Sequence, residues 1–325
     1  MSRDLTVVCE LNVDIVVDCG DVTPRFGQAD QLVPHIGLVL GSSGAITAVA
    51  AARLGLDVGV IGAVADDVFG RFVLAELQGN GVDVSQCLVL ASGSTGATTA
   101  LIRSGGDRSM LTCPGVMGQL RAEDVSAAAL GASAAVHVSS IYLQSGLRPG
   151  LPGLLRAARE TGAVTTVDPG YDPAEQWTDG MPAVLDQVDY FLPNEVEARC
   201  ISGLADAEAA GTALAAYGPT IVLKRGAQGV RVVGGTGSFG VRAEPVQPVD
   251  STGAGDNFNA GFLATLVGGA GVREAAAMGV ACGSLSTQGY GGTGRTVTAD
   301  EAREMALRIL ETELTCKPAG LRHDR

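Results

Sequence analysis

Strand-like apolar runs alternate with helix-like segments along this chain, and the alternation restricts the possible folds more than any other feature of the sequence. Apolar runs at 5–11, 134–139 and 164–168 predict buried strands, and 149–160 predicts a helix between the last two. Consecutive parallel strands require a crossover of about this length, usually a helix. We therefore predict an α/β fold with a doubly wound, mainly parallel sheet flanked by helices. No Pro- or Ser-rich linker divides the chain, which favours a single domain over 1–325.

Two stretches break this rhythm, since 14–40 and 95–112 follow the period of short strands rather than that of helices. Two explanations are open: long surface loops, or a small β lid that covers a ligand and excludes water. Residues 315–325 have the composition of a flexible tail. The other segments keep the alternation, with helices predicted at 43–54, 69–78, 254–267, 272–286 and 299–310, and strands at 58–63, 189–192 and 220–223.

The composition excludes some classes of partner. With 46% hydrophobic residues but only 4% aromatic ones, the core must be filled by Ala, Val and Leu. The formal net charge of −13 argues against nucleic acid or an anionic membrane surface as partner. Seven scattered cysteines without a Cys-x-x-Cys pair suggest neither a disulfide framework nor a zinc site. Without a signal peptide, or an apolar run near the roughly 18 residues that span a bilayer, we expect a cytoplasmic protein.

The segment 250–262, Asp-Ser-Thr-Gly-Ala-Gly-Asp-Asn-Phe-Asn-Ala-Gly-Phe, combines a small-residue turn with the start of an apolar helix. Gly253 and Gly255 allow backbone N–H groups to converge, and the helix adds the positive end of its dipole. Such a turn is suited to bind a phosphate or a developing phosphoryl charge. We expect Asp256 to be held ionised in this field and to act as a base. Alternatively, Asp256 is a near-cap residue of an ordinary strand-to-helix turn.

This segment resembles the C-terminal signature of the ribokinase-like (PfkB) carbohydrate kinases, from which it departs only at Ser251. The resemblance implies that Asp256 is the catalytic base and that the backbone of Gly253, Ala254 and Gly255 forms the anion hole. It also implies that the two stretches with short strands form a β lid.

Polar residues follow the first strand, where Asn12 and Asp14 lie two positions apart and therefore on one side of an extended segment. They either cap a turn or bind a polyol; the resemblance implies that they bind sugar hydroxyls. The turn at Gly41 and Ser42 resembles the family's N-terminal, substrate-binding signature. Ser42 replaces its second Gly, and Ile46 replaces the Asn that contacts sugar in relatives. Ile cannot bond a hydroxyl, and a buried hydroxyl without a partner costs about 1–3 kcal/mol.

Asn194 and Glu197 begin a predicted helix after a short strand. One explanation is an N-cap with acidic residues in the first turn. The pair also matches the family's Asn-x-x-Glu motif, and the resemblance implies that it organises Mg²⁺, largely through water, and the phosphates of ATP. One carboxylate is chemically sufficient for Mg²⁺, which keeps several waters in proteins.

Lys224 is followed by the turn that contains Gly226 and Gly229. A plain β-turn explains such spacing, whereas the resemblance implies nucleotide binding by these three residues. Only Lys224 and Lys317 are lysines, and neither stands in Gly-Lys-Ser/Thr, so a Walker P-loop is excluded. Residues 283–294 form a second Gly-rich stretch, and the resemblance implies that Asp250 helps to bind a monovalent cation such as K⁺ beside the anion hole.

The sequence thus predicts an ATP-dependent kinase that phosphorylates a hydroxyl of a small sugar or sugar acid, with Mg²⁺ and K⁺ as cations. Two alternatives stay open: a nucleoside kinase of the same fold, and a catalytically idle sugar-binding regulator. The low aromatic content favours a sugar over a nucleoside, because few rings are available to hold a base. Asp256 argues against an idle regulator, while Ile46 is compatible with one. The exposed edges expected for the lid strands predict a homodimer.

Overall fold

A computed structural model describes residues 3–28, 30–104, 107–235 and 237–315, with side chains up to residue 312. Within these ranges the largest sheet has eight strands. Its strands run parallel from β4 to β12, and β13 is antiparallel to both of its neighbours. In sheet order they are β14 (Gly237–Val241), β13 (Val230–Gly234), β12 (Thr220–Lys224), β11 (Tyr190–Phe191), β10 (Val164–Asp168), β9 (Ser133–Ser139), β1 (Arg3–Val8) and β4 (Val58–Ile61).

Helices cover both faces of this sheet, because successive strand residues point to opposite sides. Val7 packs in the core beneath α1 and α8, whereas the next residue, Val8, packs in the core on the other side. The first side carries α1 (Ser43–Arg53), α2 (Val68–Gly79), α8 (Ala254–Val267), α9 (Val272–Ser286) and α10 (Ala299–Thr315). The second carries α3 (Ala127–Gly131), α4 (Leu151–Glu160), α5 (Met181–Leu185), α6 (Glu195–Ser202) and α7 (Ala207–Ala215). The predicted doubly wound α/β fold is confirmed.

A second sheet of four strands is built from the two stretches with short-strand periodicity. Its order is β3 (His35–Leu40), β2 (Asn12–Gly20), β7 (Gly96–Arg103) and β8 (Arg108–Cys113). We call it the lid sheet, after its predicted role. Two further short strands, β5 (Ala63–Ala65) and β6 (Leu88–Leu90), pair with each other.

The two faces of the lid sheet follow from its register. Asp14 lies opposite Thr98, and Asp18, four residues further along β2, lies opposite Ile102, which pairs with Arg108. Side chains four residues apart on a strand share a face. Asp14 and Arg108 therefore lie on one face, which we call the inner face, and the residues that alternate with those of the inner face, such as Ile15 and Leu111, lie on the outer face.

Several predicted bounds agree with the structure, including the strand at 164–168 and the helices at 254–267 and 272–286. The predicted strand 5–11 ends earlier, at Val8, because the buried residues 9–11 carry the chain from the large sheet into β2. The hairpin of β13 and β14 and the helix α7 had no counterpart in the prediction. Of the predicted tail, residues 316–325 lie outside the described part of the chain. No helix within the described ranges has the length and apolar character needed to cross a bilayer.

Candidate active site

The predicted site residues meet at one edge of the large sheet. Parallel strands present their carboxyl ends at the same edge, and there β1 leads to Asn12, β10 ends at Asp168 and β12 ends at Lys224. The first turns of α1, α6 and α8 lie at this edge as well. Ligands of doubly wound sheets bind in this position.

The first turn of α8 is open. Gly253 has φ +72°, and a Cβ there would lie 2.5 Å from the Cα of Gly292. Both the backbone conformation and the close approach of Gly292 therefore require glycine at this position. Within the described residues no side chain caps this turn, and apart from Ala254 N, which donates to Ser251 O at 3.2 Å, its N–H groups stay available. A Cβ on Gly255 would lie 3.4 Å from the Lys224 ammonium nitrogen. The turn thus combines free N–H groups with an adjacent positive charge, as an anion-binding site requires.

Asp256 belongs to this turn and is held by a residue of α1. The Ser43 hydroxyl donates to Asp256 Oδ1 at 2.5 Å. Burial, followed by the charge of Asp168, raises the pKa of Asp256 to about 7, although the Ser43 hydrogen bond lowers it. This contradicts our expectation of a firmly ionised carboxylate, because burial raises the pKa of Asp256 more than the Ser43 hydrogen bond and the charge of Lys224 lower it. A base with a pKa near 7 is nevertheless well matched to proton transfer at neutral pH.

Asp168 was not among the predicted site residues, yet it lies at the centre of the charge network. Its Oδ2 accepts from Lys224 Nζ at 2.6 Å and from Asn259 Nδ2 at 2.6 Å. Burial acts to raise the pKa of Asp168, but the ion pair with Lys224 outweighs it and keeps the pKa below its ordinary value. Burial likewise opposes the charge on Lys224, while Asp168 and Glu197 raise its pKa. Asp168 thus keeps Lys224 charged and fixed beside the open turn.

Asn12 and Asp14 are brought together as predicted. Asn12 Nδ2 donates to Asp14 Oδ1 at 2.9 Å. A Cβ on Gly41 would lie 2.5 Å from Asp14 Oδ1, so glycine is needed for both side chains to fit. Burial raises the pKa of Asp14 to about 6, against the hydrogen bond from Asn12 and the charge of Arg108. An amide and a carboxylate therefore face the same cleft, which suits a polyhydroxyl ligand.

The first turn of α1 is closed from within the protein. Ser42 has φ +68°, a conformation that glycine adopts freely, and its hydroxyl donates to Glu10 O and accepts from Ala45 N at 3.0 Å. Glu10 Oε1 accepts from Ser43 N at 2.9 Å. The Glu10 side chain is 2% exposed, and burial raises its pKa to about 8. These bonds let Ser42 replace the glycine of the family signature without opening the turn.

Ile46 supports the Gly-rich loop instead of facing the cleft. It is 4% exposed, and a Cβ on Gly292 would lie 2.9 Å from Ile46 Cγ1. Asn257 Nδ2 anchors the same loop by donating to Gly292 O at 3.0 Å and to Gly253 O at 2.9 Å. The apolar side chain at this position thus fills space between α1 and the loop.

Asn194 and Glu197 form a reciprocal cap on α6. The N-cap that the sequence offered as one explanation for this pair is therefore present. The Asn194 side chain accepts from Glu197 N at 2.9 Å, while Glu197 Oε2 accepts from Asn194 N at 2.8 Å and Oε1 from Asn194 Nδ2 at 2.7 Å. Burial and then the charge of Asp168 raise the pKa of Glu197 to about 7, and Asp256 adds to the effect.

The carboxylates of Glu197, Asp168 and Asp256 are also the candidate groups for binding Mg²⁺. In the described part of the chain no group of three or more His, Cys, Asp and Glu side chains forms a ready metal site. The charge of Asp168 nevertheless raises the pKa of both Glu197 and Asp256, and Asp256 also raises that of Glu197, a repulsion that a divalent cation would relieve. An all-oxygen set with few protein ligands is what Mg²⁺ takes when phosphates and water complete its shell. The residues present therefore fit this ion.

Asp250 ties the open turn to the Gly-rich loop. Its Oδ1 accepts from Thr252 N at 2.9 Å and from the Thr252 hydroxyl at 2.7 Å, and its Oδ2 accepts from Gly291 N at 2.8 Å. Burial acts to raise the pKa of Asp250, but these hydrogen bonds outweigh it and lower the pKa. A carboxylate that stays charged beside the open turn suits a monovalent cation.

The two glycines of the predicted nucleotide-binding turn differ. At Gly226, with φ +54°, a Cβ would meet nothing within 4 Å, so the backbone is open to a ligand. At Gly229, with φ +88°, a Cβ would collide with Val241 O. The close packing of β14 therefore explains why glycine is needed at position 229, without any contact to a ligand.

The sequence interpretation missed Asp168, Asn259, Glu10, Ser43 and Arg108. Asp168 was within reach, because it ends a correctly predicted parallel strand and so must lie at the ligand-binding edge. Asn259 is three residues after Asp256 on the same helix and shares its face. Ser43 and Glu10 became visible only when the structure brought α1 against α8.

A family model described as pfkB family carbohydrate kinase matches residues 3–299, a range that contains every site residue named above. The chain is similar to a ribokinase from Bacillus subtilis (strain 168), with 30% identity over 307 residues, 93% of this chain and 99% of the relative. A fructokinase from Klebsiella pneumoniae is 32% identical over 269 residues, 77% of this chain and 86% of the relative. An E. coli protein described as a ribokinase II, solved in complex with ATP and Mg²⁺, has a TM-score of 0.80 at 25% identity, covering 94% of this chain and 99% of its own.

Proposed function

Because the chain belongs to the pfkB family of carbohydrate kinases, which are phosphotransferases acting on sugar hydroxyls, we propose that it transfers the γ-phosphoryl group of ATP to a hydroxyl of a small sugar or sugar acid. One observation carries the proposal. Asp256, with a pKa of about 7, lies in the uncapped first turn of α8, held by Ser43 on α1 and within electrostatic reach of Asp14 on β2. A base, an anion hole and a polyol-binding pair thus share one cleft.

The reaction follows from these positions. Asn12 and Asp14 hold hydroxyl groups of the acceptor, and Asp256 takes the proton of the hydroxyl that reacts. The acceptor oxygen then forms a bond to the γ-phosphorus as the bond to the β,γ-bridging oxygen breaks, and ADP leaves with the electron pair. The N–H groups around Gly253, Ala254 and Gly255, together with the Lys224 ammonium, stabilise the charge on the transferring group.

The cations have defined places in this scheme. Glu197 and Asn194, with Asp168 beside them, would hold Mg²⁺ largely through water, and the ion would neutralise charge on the ATP phosphates. Asp250 would contribute to a K⁺ site beside the anion hole. The E. coli relative with bound ATP and Mg²⁺ supports the choice of nucleotide and divalent ion. Gly226 leaves an open backbone for the nucleotide. We propose that the reaction takes place in the cytoplasm.

A nucleoside has less support as the acceptor. Among the described residues of the lid sheet, none on the inner face is Phe, Tyr or Trp; Val16, Ala100 and Met110 lie there instead. A nucleobase is normally held by stacking on such rings. The retained base and anion hole likewise favour a working kinase over an idle sugar-binding regulator.

We further propose a homodimer through the outer face of the lid sheet. Ile36, Leu38 and Leu111 are exposed there by 60%, 40% and 62%. Apolar side chains on an unpaired sheet face are suited to a second copy of the same face. Sedimentation at micromolar concentration should give a dimer for the wild type and a monomer for Leu111→Glu; a monomeric wild type would remove this proposal.

Measurement of ADP release with Mg²⁺-ATP and K⁺ tests the function. The acceptors are ribose, fructose, 2-keto-3-deoxygluconate, fructose 6-phosphate, adenosine, cytidine and pseudouridine. Acceptor-dependent ADP release with a sugar or sugar acid supports the proposal, whereas turnover of a nucleoside alone contradicts the proposed substrate class. If the folded protein binds ATP and sugar but releases no ADP with any acceptor, the kinase reaction itself is contradicted.

A further inference from the structure

Arg108 reaches from the far end of the lid sheet to the open turn of α8. It is the first residue of β8 and lies on the inner face, in register with Ile102 and Asp18. Its Nη1 donates to the Thr252 hydroxyl at 3.0 Å. Thr252 immediately precedes Gly253, so the guanidinium stands over the entrance to the anion hole.

The charge of Arg108 is not used by an ion pair. Among the described residues no carboxylate lies within ion-pair distance of its guanidinium, and its one hydrogen bond goes to a neutral hydroxyl. Its charge nevertheless reaches the cleft, since it acts to lower the pKa of Asp14 and of Asp250. Most of its five N–H donors therefore stay available for a ligand in the cleft.

The surroundings explain why an acceptor would need this cation. The carboxylates of Asp14, Asp250 and Asp256 repel any anionic group that enters the cleft. Lys224 cannot offset them on the acceptor side, because Asp168 holds its ammonium at 2.6 Å next to Gly255. On the proposed mechanism Lys224 already supplies a positive charge for the transferring phosphoryl group, and a neutral sugar requires none. The unpaired guanidinium is therefore best suited to an anionic group of the acceptor.

On the basis of the proposed kinase function, we propose that Arg108 binds an anionic group of the phosphoryl acceptor and thereby selects a sugar acid or sugar phosphate over a neutral sugar. The planar guanidinium can pair with a carboxylate or a phosphate through two parallel hydrogen bonds. Since it already contacts Thr252, binding of such an anion would also join the lid sheet to the turn that holds Asp256.

Arg108→Gln tests this role, because it removes the charge and keeps a polar side chain. Arg103→Gln is the matched control. Arg103 ends β7 on the same sheet, follows Ile102 and so lies on the outer face, where it donates to the Thr23 hydroxyl at 3.1 Å. Binding of 2-keto-3-deoxygluconate, fructose 6-phosphate and fructose is measured by calorimetry with Mg²⁺ and a non-hydrolysable ATP analogue, and turnover by ADP release.

We expect Arg108→Gln to weaken binding of the anionic acceptor by about tenfold to a hundredfold, the range for a hydrogen bond to a charged group. Fructose should be unaffected, and Arg103→Gln should change neither. Added salt should weaken binding of the anion to the wild type more than to Arg108→Gln. Comparison of the two anionic acceptors distinguishes a carboxylate from a phosphate.

Three results would overturn the role of Arg108. In the first, the wild type binds only the neutral acceptor or none of the three. In the second, Arg108→Gln and Arg103→Gln have equal effects. In the third, Arg108→Gln raises the KM for ATP and lowers kcat with every acceptor alike, which would place Arg108 at the γ-phosphate. Anion binding that depends on Arg108 without any turnover would instead contradict the kinase reaction and leave the role of Arg108 intact.

Discussion

The first turns of α1 and α8 lie against each other and are both built of small residues, yet their N-termini are completed differently. In α1 the N–H groups are met from inside, by the Ser42 hydroxyl and the Glu10 carboxyl group. In α8 no described side chain caps the turn. The same local structure therefore serves stability where the protein supplies the anion, and ligand binding where it leaves the position open. The Ser43 hydroxyl joins the two by donating to Asp256.

The largest effect should follow a change of the base in the open turn. We expect Asp256→Asn to lower kcat by about 10²–10⁴-fold, the range for loss of a general base, with ATP binding retained. Glu10→Gln is the control in the closed turn, since Glu10 holds its proton at neutral pH, and kcat should stay within a few-fold of the wild type. Steady-state kinetics and thermal melting give both quantities. If Asp256→Asn and Glu10→Gln lowered kcat equally, the proposed functional difference between the two turns would be contradicted.

The charge beside the open turn should come next. We expect Lys224→Met to lower kcat/KM for ATP by about a hundredfold, as for other groups that stabilise a transferring anion. It also leaves the buried carboxylate of Asp168 without its countercharge, which costs about 3–5 kcal/mol of stability. The double variant Lys224→Met/Asp168→Asn should regain most of that stability but not the activity. A double variant with wild-type kinetics would show that the Lys224 charge plays no part.

The hydrogen bond between the two turns should govern the pH dependence. Asp256 must be ionised to accept a proton, so kcat/KM should rise as the pH increases through about 7. Ser43→Ala removes a hydrogen bond that lowers the pKa of Asp256, and the rising limb should move to higher pH. Rates measured from pH 5 to pH 9 provide the test. An unshifted limb in Ser43→Ala would mean that Ser43 does not act on the base.

The smallest effect on activity belongs to the closed turn, where the expected change is in stability. The pKa of Glu10 is raised from 4.5 to about 8 in the folded protein, so between these values the unfolded chain releases a proton that the folded one keeps. Stability of the wild type should therefore fall with rising pH over this interval, relative to Glu10→Gln, and level off above it. Chemical denaturation at several pH values measures the difference. A constant difference from pH 5 to pH 9 would contradict the raised pKa.

The sequence was sufficient for the fold class and for the edge of the sheet at which most of the candidate site residues lie. Strands such as 164–168 are continuous apolar runs and can be recognised locally, and a parallel sheet then requires their ends to meet at one edge. The protonation of Asp256 could not be read in this way. Its pKa depends on burial and on Asp168, which is 88 positions away in the chain, and neither quantity is local.

The substitutions at Ser42 and Ile46 show the same limit. The sequence showed that these two residues depart from the family pattern, but it did not show what the two side chains contact. Ser42 keeps the backbone conformation of a glycine through bonds to Glu10 and Ala45. Ile46 packs on Gly292, nearly 250 residues further along the chain. Only the packing of α1 against the loop gives these two residues their roles.

Asn12 and Asp14 lie on β2, whereas Asp256 lies on α8. Any displacement of the lid sheet therefore carries the acceptor-holding groups with it and leaves the base behind. On the proposed mechanism, the separation between the acceptor hydroxyl and Asp256 is set by the position of the lid sheet. A water molecule is too small to contact Asn12 and Asp14 as a sugar would, so its binding would not hold the lid sheet close to Asp256. On the proposed mechanism, the strand that selects the acceptor would thereby also protect ATP from hydrolysis.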